Sequence, residues 1–242
     1  MKSKNILLII PAYNEEENIL NTYNSIENYN KKNKTNYHVI VINDGSKDKT
    51  SKICHDNNIP VIDLIHNLGI GGAVQTGYKY AQKNNYDIAI QFDGDGQHDI
   101  RYVKEIIEPV IKNEADMVIG SRFVKNIDTF KSTRSRRVGI VIISFFIKLV
   151  TGKKIYDTTS GFRAINKEII KEFAKNYPVE FPEPITTTEI IKKGYKVIEK
   201  PVEMKERKGG VSSITSWKSF YYMINVPLSI IMVGLRRYKK CK

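Results

Sequence analysis

The hydrophobic residues in the first half of the chain form short uninterrupted runs that alternate with longer, more polar segments. The runs predict buried strands at residues 6–10, 39–42, 61–65, 88–92 and 117–119. Helices are predicted in the gaps, most clearly at 72–83 and 101–111, and a polar helix is predicted from about Asn14. Apolar strands separated by helices indicate a mostly parallel sheet with helices on both faces.

Polar residues follow several of these strands directly. The second predicted strand ends at 43–46 (NDGS), the fourth at 93–98 (DGDGQH) and the fifth at 120–122 (GSR). In open sheets of this kind, ligands bind at the carboxyl ends of the strands. The pattern therefore predicts one site that is built from several loops.

The second half of the chain has a different character. Residues 125–154 contain eight basic residues and one acidic residue, Asp128, and they enclose an apolar run at 138–146 that is too short to span a bilayer. Further strands are predicted at 161–166 and 196–203. An aromatic and apolar helix is predicted at 217–235, and a basic cluster follows it.

The overall charge changes this interpretation only slightly. A formal charge of +13 over 242 residues suits anionic partners such as nucleic acid, anionic lipid or phosphorylated substrates, without choosing among them. The two cysteines, Cys54 and Cys241, are far apart in the sequence, which indicates a reduced setting and not a disulfide framework. An apolar strand follows Lys4 directly, so no signal peptide is expected.

The strongest chemical signal is the pair Asp93 and Asp95. Two carboxylates one residue apart, straight after a buried strand, form a hard oxygen site that suits Mg²⁺ or Mn²⁺, and Gly94 leaves room for a ligand near the backbone. The alternative is a structural turn rich in Asp and Gly. A calcium loop of the EF-hand type is excluded, because its sixth and twelfth positions would be His98 and Lys104.

Two other loops are more ambiguous. Asp44 could accept hydrogen bonds from a nucleobase or ribose, or it could cap the following helix, a role that Ser46 or Asp48 would fill as well. The glycines at 69–72 predict a tight turn from strand to helix whose amides could face a ligand. A dinucleotide-binding loop would need a further glycine at Val74.

Taken together, these motifs resemble those of the family 2 glycosyltransferases with the GT-A fold. The matching segments occur in the right order at residues 11–16, 43–46, 67–69, 93–98, 120–122, 159–164 and 207–212. Closest in appearance is the branch that makes polyprenyl-phosphate sugars. The resemblance implies a Rossmann-like GT-A catalytic domain at residues 1–213 and an amphipathic, basic, membrane-associating helix at 214–242.

The resemblance also implies roles for individual residues. The nucleoside would be held by Pro11, Tyr13, Glu15 and Asp44. The diphosphate would be bound at Asp93, Gly94 and Asp95 through Mg²⁺ or Mn²⁺, with Gln97 as a further metal ligand and with Arg122 and Arg207 neutralising the phosphates. Mannose synthases carry a lysine where this chain has Ser213, so a UDP-sugar is favoured over GDP-mannose as the donor.

The chemistry expected of such a site is an inverting single displacement, which needs no covalent nucleophile. A bound metal ion would offset the charge that develops on the departing nucleoside diphosphate. Asp157 is a candidate base or acceptor-orienting group, with a structural turn carboxylate as the equal alternative. His98 could touch the metal or the diphosphate, but the two roles that are favoured are to support the metal site or to face solvent.

For the acceptor, the sequence favours a polyprenyl phosphate. Arg134, Arg136 and Arg137 lie beside an apolar segment and could gather the phosphate, with help from Arg163. A phosphate monoester has a second pKa of about 6, so it needs no general base at neutral pH. The rival acceptor is a hydroxyl on a cell-surface polysaccharide or a lipid-linked saccharide, which would need one.

The expected location is the cytoplasmic side of a membrane, with peripheral attachment. Trp217, Tyr221 and Tyr222 are aromatics of the interfacial type, although a terminal helix packed on the core is an alternative. A small membrane-protein partner and a homo-oligomer are both compatible with this location. Nucleic acid is disfavoured as a partner because the basic residues surround apolar helices instead of alternating with stacking aromatics. A non-catalytic nucleotide-sugar sensor is disfavoured by the intact pair Asp93 and Asp95.

Overall fold

The computed structural model describes residues 4–124, 134–204 and 216–238, with the side chains of all of these except 134–136 and 216–221. Arg207 and Ser213 lie outside the described residues. Arg134 and Arg136 are placed in a helix, but only by their backbone.

Strands in the described part of the chain form one seven-stranded sheet. They are β1 (Ile6–Ala12), β2 (Tyr37–Asn43), β3 (Val61–Asp63), β4 (Ile88–Gln91), β5 (Met117–Ser121), β6 (Arg163–Asn166) and β7 (Val197–Pro201). Their order is β3-β2-β1-β4-β6-β5-β7, and each pairing is parallel except that β6 runs antiparallel to β4 and β5. The predicted mostly parallel sheet is confirmed.

Helices cover both faces of this sheet, as predicted. They are α1 (Ile19–Asn33), α2 (Thr50–Asp56), α3 (Gly69–Lys83), α4 (Val103–Ile111), α5 (Arg134–Thr151), α6 (Lys167–Lys175), α7 (Pro182–Lys192) and α8 (Ser216–Leu235). Successive residues of a strand point to opposite faces. Leu8 and Ile10 of β1 therefore pack in the core beneath α1, α2 and α4, whereas Leu7 and Ile9 pack in the core formed with the other helices. Burial on both faces explains the uninterrupted apolar runs.

The first helix begins later than the sequence suggests. A start near Asn14 was expected, but Asn14 has a left-handed backbone (φ 56°) and α1 begins at Ile19. The backbone N–H groups of Asn14 and Glu15 donate to the hydroxyls of Ser46 and Thr50, at 3.0 and 2.8 Å. The β1–α1 loop is therefore bound to the segment that follows β2, and these tertiary contacts override the local helical preference.

The connectivity creates a crevice between β1 and β4. From β1 the chain proceeds to β2 on one side, whereas β4 lies on the other side, and ligands bind at such a switch point. The two loops approach closely there, because a Cβ on Gly94 would lie 3.3 Å from the carbonyl oxygen of Pro11. The hydroxyl of Thr22 also donates to the Gly94 carbonyl at 3.1 Å. Gly94 thus permits the loops after β1 and β4 to meet.

Helices α5 and α8 lie side by side and run parallel. Gly139 of α5 faces Met223 of α8, and Val150 of α5 faces Gly234 of α8. The difference in residue number is the same for both pairs, as it must be for two parallel helices. On α8, Val226 is buried while Leu235 is 81% exposed, so this helix carries apolar side chains both in the core and on its exposed side. Among the described residues, the structure contains no helix that is both long enough and apolar enough to cross a membrane.

Candidate active site

The carboxylate pair lies in a short turn at the end of β4. The backbone N–H of Gln97 donates to Asp95 Oδ1 at 3.0 Å, and Asp95 is 8% exposed. The Asp93 side chain is more accessible, at 32%. The turn therefore brings both carboxylates and Gln97 to the crevice between β1 and β4, where the sequence placed the metal ligands.

His98 supports this turn from inside the protein. Its Nδ1 accepts the backbone N–H of Asp93 at 2.9 Å, and its Nε2 lies 3.3 Å from Asp93 Oδ2. The ring stacks on Phe162, with 4.6 Å between the ring centroids. Burial lowers the pKa of His98 to about 4, so the imidazole is neutral and Nε2 carries the hydrogen. Of the two roles expected for His98, the structure places it in the supporting one.

The donor set fits a hard divalent ion. Carboxylate oxygens are the ligands that Mg²⁺ and Mn²⁺ prefer. Across residues 4–124, 137–204 and 222–238, no three His, Cys, Asp or Glu side chains are grouped as a complete metal cage. An ion at Asp93 and Asp95 would thus depend on oxygens from a substrate and from water, which is the usual situation for Mg²⁺ bound with a phosphate ligand.

Asp44, which is expected to hold the nucleoside, directly follows β2. Asp44 is buried and its Oδ1 accepts the backbone N–H of Leu68 at 2.7 Å. Burial raises the pKa of Asp44, and the N–H groups of Leu68 and Gly69 oppose that rise. The N–H of Thr50, at the start of α2, is bound by Asp48 and not by Asp44. Asp44 therefore does not cap α2.

The other residues expected to hold the nucleoside lie at the end of β1 and in the loop that follows it. Pro11 lies within β1, and the exposed ring of Tyr13 (44%) follows it. Glu15 is buried, and its Cγ would lie 3.8 Å from a Cβ on Gly94, so it adjoins the metal-binding turn. The structure thus brings Pro11, Tyr13, Glu15 and Asp44 to neighbouring loops at the same sheet edge.

The glycine turn at 69–72 has a packing role. The amide of Gly71 donates to the Val179 carbonyl at 3.3 Å, and a Cβ on Gly71 would collide with the backbone of residues 178 and 179. The amide of Gly69 donates to the Asn67 side chain at 3.0 Å. These amides are used within the protein, which corrects the expectation that they face a ligand.

Arg122 and Asp157 form a buried ion pair at the end of β5. The Arg122 Nε and Nη2 atoms lie 2.8 Å from the two Asp157 oxygens, and its backbone N–H also donates to Asp157 at 3.0 Å. Arg122 Nη2 reaches Thr159 at 3.0 Å, and the Asp157 N–H donates to Glu199 of β7 at 2.8 Å. Both Asp157 oxygens are therefore engaged, which favours the structural alternative for this residue and leaves the Arg122 charge already balanced.

Arg163 lies in the interior, which corrects its assignment to the acceptor phosphate. The side chain is fully buried and donates to the carbonyl oxygens of Ser160 at 2.7 Å and Glu183 at 2.9 Å. It also donates to the Thr186 hydroxyl at 3.2 Å. Arg163 therefore holds the first turn of α7 against β6. Arg137, by contrast, is exposed on α5.

Glu183 was missed by the sequence analysis. It lies in the first turn of α7, and Gln91 and Asp93 are close enough to affect the charge of its carboxyl. Burial raises the pKa of Glu183, the Arg163 guanidinium opposes this rise, and the charge of Asp93 adds to it. The Pro182-Glu183 pair marks a helix start in the sequence, but nothing local shows that this helix points at the end of β4.

We expect Asp157→Asn to destabilise the protein by roughly 3–5 kcal/mol, because Arg122 would remain buried without its counter-charge. Thermal and urea denaturation measure this change. Glu108→Gln is the control, because it breaks an exposed ion pair with Lys112 and should leave the melting temperature nearly unchanged. Normal stability together with a complete loss of activity would instead identify Asp157 as a catalytic base.

Comparisons with known proteins agree with this geometry. The model of the family described as Glycosyl transferase family 2 matches residues 7–174. The chain is 33% identical to the UDP-N-acetylglucosamine–dolichyl-phosphate N-acetylglucosaminyltransferase of Methanococcus voltae, over 96% of this chain and 100% of that protein. It is 27% identical to the polyprenol monophosphomannose synthase of Mycolicibacterium smegmatis, over 86% of this chain and 80% of that protein.

A solved structure shares the fold. Glucosyl-3-phosphoglycerate synthase from Mycobacterium tuberculosis, crystallised with Mn²⁺, uridine diphosphate and phosphoglyceric acid, superposes with a TM-score of 0.70 at 14% identity. The match covers 97% of this chain and 80% of that one. The sheet, the loops at its carboxyl edge and the family match lead to one conclusion. The chain is a glycosyltransferase with the GT-A fold, and it belongs to glycosyl transferase family 2.

Proposed function

We propose that this enzyme transfers a sugar from a UDP-sugar to a polyprenyl phosphate on the cytoplasmic face of a membrane, with the help of Mg²⁺ or Mn²⁺. The observation that carries the proposal is a cleft beside the active site that combines apolar walls with basic side chains. The cleft has a volume of about 390 Å³ and is lined by Phe123, Ile140, Val141, Ser144, Phe145 and Tyr156 and by the cations Arg137, Lys148 and Lys154.

The position of this cleft suits a lipid phosphate. Its Phe123 and Tyr156 are the chain neighbours of Arg122 and Asp157, so the cleft adjoins the end of β5. Towards the surface it opens beside Phe145, whose side chain is 60% exposed. A phosphate headgroup needs cations, and an isoprenoid tail needs an apolar surface. A saccharide acceptor does not require both features in one cleft.

The donor side supports a nucleoside diphosphate. Asp93 and Asp95 would hold the metal ion, which supplies a positive charge for the developing charge on the departing diphosphate. Pro11, Tyr13, Glu15 and Asp44 would hold the nucleoside. Arg207 is expected to neutralise the phosphates, and it lies outside the described residues. Similarity to an N-acetylglucosaminyltransferase over nearly the whole chain makes UDP-N-acetylglucosamine the first donor to test.

Glu183 gives a specific reason to keep a second candidate function. A carboxyl whose pKa is raised, beside the metal-binding turn, could accept a proton from an acceptor hydroxyl on a saccharide. With a phosphate acceptor the same group, when protonated, would donate a hydrogen bond to a phosphate oxygen. A glutamine can replace the carboxyl in the second role but not in the first.

The exposed faces of α5 and α8 support attachment to a membrane. Apolar side chains are exposed on α5 at Val138, Val141, Phe145 and Leu149 and on α8 at Ile224, Leu228, Ile231, Met232 and Leu235. Contiguous apolar surface of this kind marks an interaction site. The basic residues Arg137, Lys148 and Lys154 adjoin it, which suits an anionic lipid surface.

The metal-dependent mechanism predicts that Asp95→Asn lowers turnover by roughly two to three orders of magnitude, because a Lewis-acid metal contributes several kcal/mol. Titration calorimetry should show weaker Mn²⁺ binding in the presence of UDP. Asp99→Asn is the matched control, since asparagine can still accept the N–H of Arg101. Full activity in a chelator would contradict metal dependence.

The acceptor assignment predicts an acid-labile lipid product when UDP-N-acetylglucosamine, Mn²⁺ and a short polyprenyl phosphate are supplied. Glu183→Gln should then cost less than about tenfold in kcat. If a hydroxyl must be deprotonated, the same change should cost about 10²- to 10⁴-fold. Efficient transfer to a saccharide hydroxyl, with none to polyprenyl phosphate, would decide for the second candidate function.

The membrane face predicts that Leu149→Glu lowers binding to vesicles containing anionic lipid by about tenfold or more, since burying a leucine contributes about 1.5–3 kcal/mol. Vesicle sedimentation at low salt measures this binding. Ile65→Glu is the matched control, because it makes the same charge change at a 90% exposed residue beyond β3. Equal binding of both variants, or no binding by the unaltered chain, would contradict this location.

A further inference from the structure

Phe181, the residue just before α7, has an unusual backbone conformation. Its φ and ψ are both 50°, in the left-handed region that bulky residues rarely adopt. Residues in such conformations persist only where their surroundings hold them, and they concentrate at functional sites. Phe181 immediately precedes α7, the helix whose first turn carries Glu183.

The Phe181 side chain contacts the C-terminal helix, α8. The ring of Tyr222, on α8, lies edge-to-face against the Phe181 ring, with 4.7 Å between the centroids and an interplanar angle of 83°. Tyr222 was expected to face a membrane interface, but it is partly buried against α7. Edge-to-face pairs of this geometry are attractive beyond their burial.

The path from Phe181 to the active site is short and stiff. Pro182 follows Phe181, is buried and has a fixed φ. The backbone conformation of Phe181 therefore determines the position of Glu183, the next residue of α7. Arg163 holds the carbonyl of Glu183 from the sheet side at 2.9 Å, and Gln91 and Asp93 are close enough to affect the charge of its carboxyl. The first turn of α7 is therefore held between β6 and α8.

We propose that Tyr222 is a positioning residue for Glu183: through Phe181, α8 holds the first turn of α7 so that the Glu183 carboxyl stays beside Asp93. The inference rests on the proposed function in one respect, that Glu183 faces the acceptor. It makes α8 part of the catalytic apparatus as well as a carrier of exposed apolar side chains, and it couples the position of this helix to turnover.

The coupling has a kinetic signature. The donor-side residues Tyr13, Asp44 and Asp95 lie on the loops after β1, β2 and β4 and do not belong to α7. Displacing the first turn of α7 should therefore lower kcat and leave the donor KM within about twofold. Misplacement of a reacting group by about 1 Å can cost as much as 10²-fold in rate.

The test is a double-mutant cycle with Tyr222→Ala and Glu183→Ala, read as kcat with UDP-sugar, Mn²⁺ and polyprenyl phosphate. We expect Tyr222→Ala to lower kcat by about ten- to a hundredfold, and Tyr222→Phe, which keeps the ring, to restore it. In the Glu183→Ala background, Tyr222→Ala should have less than about a twofold effect, because the group that it positions is gone.

Two controls separate positioning from stability and from the proposed function. Ile169→Ala removes a buried side chain of α6, a helix that carries neither Glu183 nor Tyr222, and it should lower the melting temperature while sparing kcat below the transition. If Tyr222→Ala lowered kcat equally in the unaltered enzyme and in Glu183→Ala, the positioning role of Tyr222 would be overturned, while the proposed function would stand. Wild-type turnover by Glu183→Ala would overturn the role of Glu183 at the acceptor, and the inference with it.

Discussion

The buried ion pair between Arg122 and Asp157 is the contact that fixes the end of β5 beside the apolar and basic cleft. It joins the end of β5 to the segment before β6, and Glu199 of β7 binds the same segment. Buried ion pairs contribute little net stability compared with apolar packing, but losing one partner is costly. The pair is therefore better understood as a geometric constraint, which sets Phe123 and Tyr156 at the inner end of the cleft.

Charge is divided across the site in a way that suits two anionic substrates. The carboxyl groups of Asp93 and Asp95 lie at the end of β4, although the chain as a whole carries a charge of +13. Such a pair favours a divalent ion and disfavours a bare phosphate. The cations Arg137, Lys148 and Lys154 lie at the cleft instead. The donor diphosphate would thus bind through a divalent ion, and the acceptor phosphate through basic side chains.

Much of the fold was predictable because the sheet is buried on both faces. A central strand must be apolar at nearly every position, and that requirement produces runs such as residues 6–10 and 88–92 that sequence inspection finds directly, with Gln91 as a polar exception. Asp93 and Asp95 were predictable for a related reason. Residues that directly follow a parallel strand must lie at the sheet edge where ligands bind.

The residues whose roles changed are those that depend on contacts between distant segments. Asp157 and Arg163 are the same charged side chains whether they face a substrate or a buried partner, and only the fold shows that Arg122 and the carbonyl of Glu183 occupy them. Glu183 and Tyr222 carry no local sign of their setting, because the direction of α7 and the docking of α8 are set by packing. The sequence alone determined the strands and the position of the turn with Asp93 and Asp95, since these follow from burial and chain order. The tertiary structure decided which of the remaining charged groups are free to act, because pairing depends on distance and not on sequence.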